Sequence, residues 1–285
     1  MTVRVAPEWL ALREPADAAA RSTELLEPLR AWLPSGPLVI HDLGAGSGAN
    51  TRWLAPRLPG PQRWVLYDND ADLLALAAAG DARTADGSQV AVETCLSDLT
   101  RLRPDDLAGT SLVTASALLD LLTADEVESL VDAIVPAGCP ALFTLSVVGR
   151  VEPHPADSWD AEITAAFNDH QRRVVPGRGR LLGPDAVSAT ARAFRRRGWT
   201  TMVRPSPWRL DSGRPSLLTR WLTEWCEAAV VRRPGLATPV EAYLARRGRA
   251  CEAGELRVAV HHADLLVLPG EHGVVVGEGS GQARQ

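Results

Sequence analysis

Short apolar runs alternate with amphipathic stretches along the first half of the chain. PLVIHDL (37–43), QRWVLYD (62–68), QVAVETC (89–95), SLVTASA (111–117) and PALFTLSVVG (140–149) read as strands. Between them, Ala49 to Leu58, 70–80 and 123–136 carry helical spacing. Asp70 caps the second of these helices and Gly80 stops it. Thr123 opens the third, with Glu126 three residues later as a capping-box partner. Strands alternating with helices imply a parallel sheet covered on both faces. Ahead of the first strand, ADAAARSTELLEPLRAWL (16–33) has helical spacing interrupted by Pro28.

The rhythm changes after residue 150. A polar, loop-rich stretch surrounds a short helix, and GPDAVSATARAFRRRG (183–198) then gives a helix with arginine in its last turn. A strand follows at WTTMVRPSPW (199–208). Residues 215–250 read as two helices split by RRPG, and ELRVAVHHADLLVLPG (255–270) as a long strand.

Composition narrows the chemistry. All 30 basic residues are arginine, which removes Schiff-base lysines, a phosphate-loop lysine and a Tyr/Lys pair working on a nicotinamide substrate. A net charge of -5 argues against nucleic-acid binding driven by overall charge. The cysteines Cys95, Cys139, Cys226 and Cys251 form no CxxC pair and fit free thiols in a reducing cytoplasm. No HExxH is present, so no metal site is expected. The first residues lack the apolar core of a signal peptide, and no apolar run reaches the roughly 20 residues that span a bilayer. A cytoplasmic protein with no membrane partner is expected.

The run VIHDLGAGSGANTRWL (39–54) places Gly44, Gly46 and Gly48 between a strand and a helix, the entrance to a nucleotide-type pocket. Asp68 ends the second strand, 24 residues after Gly44, where a carboxylate takes ribose hydroxyls. The spacing also suits a dinucleotide, with Ala49 at the permitted last glycine position. Asp42 argues against that ligand, because it would repel a pyrophosphate and attract the ammonium of a methionine-like tail.

HDLGAGSGANT resembles the first motif of class I S-adenosylmethionine-dependent methyltransferases. YDNDADLL resembles their second motif, CLSDLTRL (95–102) their third, and TASALLDLL (114–122) sits where their fourth strand faces the methionine half of the cofactor. VAVHHADLLVLP matches the last strand of their sheet. The resemblance implies an α/β fold: a seven-stranded, mostly parallel, doubly wound sheet with an antiparallel last strand, plus an N-terminal helix and a helical cap insertion. It implies S-adenosylmethionine as cofactor, contacted by Asp42, Gly44, Ala45, Gly46, Gly48, Asp68, Asn69, Ser97, Asp98, Leu99, Ala115 and Ser116. Segments 1–35 (N-terminal helical), 36–208 (cofactor-binding core, with 151–183 on the acceptor side), 209–254 (helical insertion), 255–270 (last core strand) and 271–285 (flexible tail) follow.

His154 and His170 are the candidate general bases, since both fall in the polar segment after the fifth strand; the competing reading is a solvated helix end. Asp120 lies with Ser116 near the end of the fourth strand, or faces solvent. His261 and His262 are adjacent on a strand and point to opposite faces. Trp221 and Trp225, one helical turn apart, either pack a core or present indole faces to an aromatic or polycyclic acceptor. The expected activity is methyl transfer to a small molecule in bacterial secondary metabolism. The alternatives are a nicotinamide-dependent oxidoreductase and an inactive S-adenosylmethionine-binding protein. Oligomeric state stays open.

Overall fold

The computed structural model describes residues 5–270, and the expected tail at 271–285 lies outside the described residues. α1 (Pro7–Ala20) starts with proline in its first turn, where the missing N–H is no loss. α2 spans Leu26–Trp32. The break between these helices lies at residues 21–25, not at Pro28, which falls in the first turn of α2 and is harmless there. The break has a tertiary cause: the Ser22 N–H leaves the helical ladder to donate to the buried carboxylate of Asp264, at 2.7 Å.

The core elements then follow in order: β1 (Leu38–Leu43), α3 (Ala49–Leu54), β2 (Gln62–Asp68), α4 (Ala71–Ala78), β3 (Ala91–Leu96), β4 (Leu112–Ser116), α5 (Ala124–Ile134) and β5 (Ala141–His154). Asp70 caps α4 by accepting from the Asp72 and Leu73 amides, and the Thr123–Glu126 capping box forms at α5, so both helix starts lie where the sequence puts them. Next come α6 (Asp160–Gln171), the hairpin β6 (Val174–Val175) and β7 (Gly179–Arg180), α7 (Ala186–Arg196), β8 (Thr200–Pro205), β9 (Trp208–Leu210), α8 (Pro215–Arg232), α9 (Ala237–Glu252) and β10 (Arg257–Leu268).

The main sheet runs β3-β2-β1-β4-β5-β10-β8, with short β9 attached to β10. β10 is antiparallel to both neighbours and the other core pairs are parallel. This is the expected fold class. Strand order reverses between β1 and β4, which opens a crevice at their carboxyl ends. A core of Leu43, Val113, Phe143 and Leu265 under α5 and α7 fills one face; Ile40, Trp64, Leu66 and Leu142 under α2, α3 and α4 fill the other.

β5 runs five residues beyond the Gly149 end read from sequence, because β10 pairs with it as far as Arg257 opposite His154. Two register shifts in β10 obscure the alternation that would announce this. The extended arm carries a third core of α6, α8, α9 and β9 with Ala16 of α1. Trp221 and Trp225 belong to it: their rings stack at 5.3 Å and 16°, and Trp225 also packs on Tyr243. Their faces are occupied by packing and are not offered to an acceptor.

Candidate active site

Gly44, Gly46 and Gly48 all take left-handed φ, at +67°, +54° and +80°. At two of them the surroundings add a second demand. A β-carbon on Gly48 would sit 3.2 Å from Ala77 Cβ, so the loop needs glycine there to lie against α4. One on Gly46 would sit 3.3 Å from Leu10 Cδ1, because α1 roofs the loop. Ala45 is buried, and its N–H donates to the Tyr67 carbonyl at 2.9 Å.

Asp68 is tied to this loop. One carboxylate oxygen accepts from the Gly46 N–H at 2.8 Å and the other from the Asp70 N–H at 3.0 Å. Each oxygen keeps capacity for a further hydrogen bond. Asn69 is exposed beside it. The Ser97 N–H donates to the Asp68 carbonyl at 2.9 Å, which brings the ends of β2 and β3 together. Asp98 is exposed and caps the turn Leu99–Arg101; bonds from the Thr100 hydroxyl and amide hold its carboxyl below the usual range. Leu99 packs half-buried against the core beneath α5. A cavity of about 520 Å³ opens beside Ser97, lined by Tyr67, Cys95, Arg101, Arg103 and Asp106.

Across β1, Ala115 is buried in the sheet, and Ser116 Oγ accepts from Arg21 Nη2 at 3.0 Å. Ala117 follows with φ of +53°, costly for a residue with a β-carbon and held by its N–H bond to the Thr144 carbonyl.

Asp42 lies beneath the loop, fully buried, not open to the crevice. It accepts from Asn50 Nδ2 at 2.9 Å and Thr51 Oγ1 at 3.3 Å. Burial raises its pKa from 3.8 to about 7, against the opposing pull of those bonds. The folded protein therefore retains a proton that the unfolded chain releases near pH 3.8, and stability from this group falls as pH rises from 3.8 to about 7. His41 and His262 work the other way. Burial lowers them from 6.5 to about 4 and about 3, so their contribution is lost as pH falls below 6.5. Subtracting wild type from an Asp42→Asn variant isolates the carboxyl. The variant should gain up to about 1.4 kcal/mol per pH unit on wild type between pH 4 and 7, then level off. Urea unfolding across that range reads this directly, and parallel profiles would refute the shift.

The two histidines expected as bases separate. His154 is exposed, ten residues past Thr144, which is level with Ser116 in the sheet. That is roughly 30 Å of strand, so His154 does not reach the crevice. His170, in the last turn of α6, is half-buried; burial and the charges of Arg173 and Arg232 lower its pKa. Asp120 lies just past β4, only 8% exposed, and burial raises its pKa while Arg13 and Arg173 oppose the rise. Arg173 thus acts on both Asp120 and His170. His261 pairs with Glu152 at 2.8 Å, while His262 is buried beside Trp208 at 5.2 Å.

Arg21 and Asp264 had no sequence signal. Each is a charged residue inside an otherwise ordinary helix end or apolar strand, and only folding shows them buried at the crevice.

No protein-family model matches the sequence, and no curated protein sequence matches it. Solved structures similar to this chain include the cyclopropane synthase MmaA2 of Mycobacterium tuberculosis, at 12% identity and a TM-score of 0.49 over 92% of this chain and 94% of that one. A methyltransferase of Geobacter sulfurreducens, described as S-adenosylmethionine-dependent and in complex with S-adenosylhomocysteine, matches at 18% identity and a TM-score of 0.42 over 93% and 98%. One of Thiobacillus denitrificans, in complex with the same molecule, matches at 14% and 0.45 over 94% and 100%.

Proposed function

We propose that the protein is an S-adenosylmethionine-dependent methyltransferase acting on a small molecule. The observation that carries this reading is the Asp68 carboxylate bonded to the Gly46 N–H, a ribose acceptor built into the edge of the glycine loop. Two further features favour it over a dinucleotide. The doubly wound dinucleotide fold has a parallel sixth strand, whereas here antiparallel β10 is inserted next to β5. The helix after the loop is also only six residues long, a weak support for a pyrophosphate.

The residues present fit such a cofactor. Asp68 would accept the ribose hydroxyls, Asp98 the adenine amino group, and the loop backbone would lie against the nucleoside. When bound, the sulfonium supplies an activated methyl group for in-line transfer to an acceptor. The chain's own task is then positioning and proton handling. Asp120 suits the second part: it is buried just past β4, where burial raises its pKa while Arg13 and Arg173 oppose the rise, so its carboxyl can exchange a proton with an acceptor held there. The layer formed by α6 and α8 on the extended β5–β10 arm, with α1 over the loop, favours a small acceptor over a polymer. An arginine-only, alanine- and proline-rich composition of the kind found in high-GC bacteria is the support for a role in secondary metabolism.

Calorimetric titration with S-adenosylmethionine, S-adenosylhomocysteine and NADH tests the reading. Micromolar binding of the first two with no response to NADH is expected. Binding of NADH alone would make the loop a dinucleotide site.

A further inference from the structure

β3 ends the sheet and is poorly covered: Ala91, Glu93, Thr94 and Leu96 are exposed, and Val92 and Cys95 are half-buried. A crossover between parallel strands is usually a helix. The link from β3 to β4 instead holds two short turns, Leu99–Arg101 and Pro104–Leu107. They leave the cavity of about 520 Å³ open beside the ends of β2 and β3. That volume lies within the range of small-molecule sites.

The cavity is separate from the nucleoside crevice. Tyr67 and Cys95 are level in the β2–β3 ladder and pack with the core under α5, whereas Leu66 and Val92 pack with the core under α4. Alternation along β2 places Asp68 on the Leu66 face, opposite Tyr67. The cavity and the ribose acceptor therefore occupy opposite faces of one strand end.

The lining is rich in donors that lack acceptors. Tyr67 is 7% exposed and its ring packs on buried His41, yet its hydroxyl has no hydrogen-bond partner among the described residues. Burial raises its pKa to about 12, so it stays a donor at neutral pH. Arg101 makes no hydrogen bond or ion pair among the described residues; its charge reaches Asp98. Arg103 stands 3.5 Å from one oxygen of Asp106, and the other oxygen accepts the Arg103 N–H at 2.9 Å. A solvent-filled notch accounts for the two arginines but not for a buried phenol left unpaired.

An occupant has to accept from Arg101, Arg103 and Tyr67 together and to offset two guanidinium groups that face one carboxylate. The three terminal oxygens of a phosphate ester meet this demand better than the two of a carboxylate. We propose that this cavity is a second ligand site, which takes the phosphate of a small organic phosphate ester independently of the nucleoside crevice. It stands whether or not the functional reading above holds.

Phenyl phosphate is the probe, titrated calorimetrically into the full chain at constant ionic strength, with benzoate as its carboxylate counterpart. Wild type should bind the phosphate at least about fivefold more tightly than benzoate. Tyr67→Phe, which keeps the ring on His41, and Arg101→Met should each weaken phosphate binding about tenfold or more, as loss of a bond to a charged group does. Arg209→Met, exposed on β9 towards the other end of the sheet, should change it less than about twofold. Saturating S-adenosylhomocysteine should also leave it within about twofold, as uncoupled sites require.

Arg101 is exposed, so its variant reads the site even if Tyr67→Phe is unstable. Wild type that binds neither probe overturns the proposal. So does an equal loss in Arg101→Met and Arg209→Met, which would mean diffuse charge attraction. Displacement by S-adenosylhomocysteine would make the cavity part of the nucleoside crevice and overturns it too. Benzoate bound more tightly than phenyl phosphate overturns the phosphate assignment.

Discussion

Asp68→Ala should raise the dissociation constant for S-adenosylhomocysteine about 100-fold or more while the protein stays folded. A carboxylate accepting both ribose hydroxyls contributes about 1.5–3 kcal/mol per charge-assisted bond, and tenfold in affinity corresponds to about 1.4 kcal/mol. The substitution also removes the acceptor for the Gly46 N–H, so the loop loses its anchor to β2. The cost to stability should be smaller, about 1–2 kcal/mol, because Asp68 is only partly buried and water can replace it at the two amides. Asp68→Asn keeps one acceptor oxygen and should fall between, near tenfold. Calorimetry on both variants, with urea unfolding beside it, separates binding from folding. Unchanged affinity in Asp68→Ala would mean the ligand does not use the loop.

The largest effect on folding should come from Asp264→Ala, at about 3–5 kcal/mol. Asp264 is fully buried and gathers three donors from three separate segments. The Leu145 N–H and the Ser206 hydroxyl reach one oxygen at 2.8 and 2.6 Å, and the Ser22 N–H reaches the other at 2.7 Å. Burial raises its pKa, and the donors oppose that rise. An apolar residue in place of a buried charge is not always costly, but alanine here leaves the donors without acceptors, and each costs about 1–3 kcal/mol. Leu145 compounds the loss. Its φ of +57° is unfavourable for leucine, and the bond to Asp264 is what holds it. At about 2–4 °C per kcal/mol for a chain of this size, the midpoint should fall by about 10 °C. A loss under about 1 kcal/mol would show that the Asp264 carboxylate carries no such load.

What the sequence determined by itself was local. Apolar runs of strand length between turn residues mark β1, β2 and β4 to within a residue of where they form, because the signal of each is contained in its own residues: β1 and β4 are buried on both faces and β2 chiefly on one. The caps at Asp70 and Thr123 are legible for the same reason: donor and acceptor lie within three positions. The glycine loop and Asp68 are legible because steric demand at a turn and a strand-end carboxylate both leave fixed spacings.

Tertiary structure decided whatever depends on partners distant in sequence. β5 continues to His154 because β10 pairs with it from more than a hundred residues away, and that same extension carries His154 away from the crevice. Trp221 and Trp225 fill a core that exists only once α6, α8 and α9 meet over the arm. Asp120 is turned inward, Asp42 is closed beneath the loop, and Arg21 is drawn to Ser116 across 95 positions. A charged side chain carries no periodicity that announces burial. Its surroundings, and with them its chemistry, come into being only when separate segments converge.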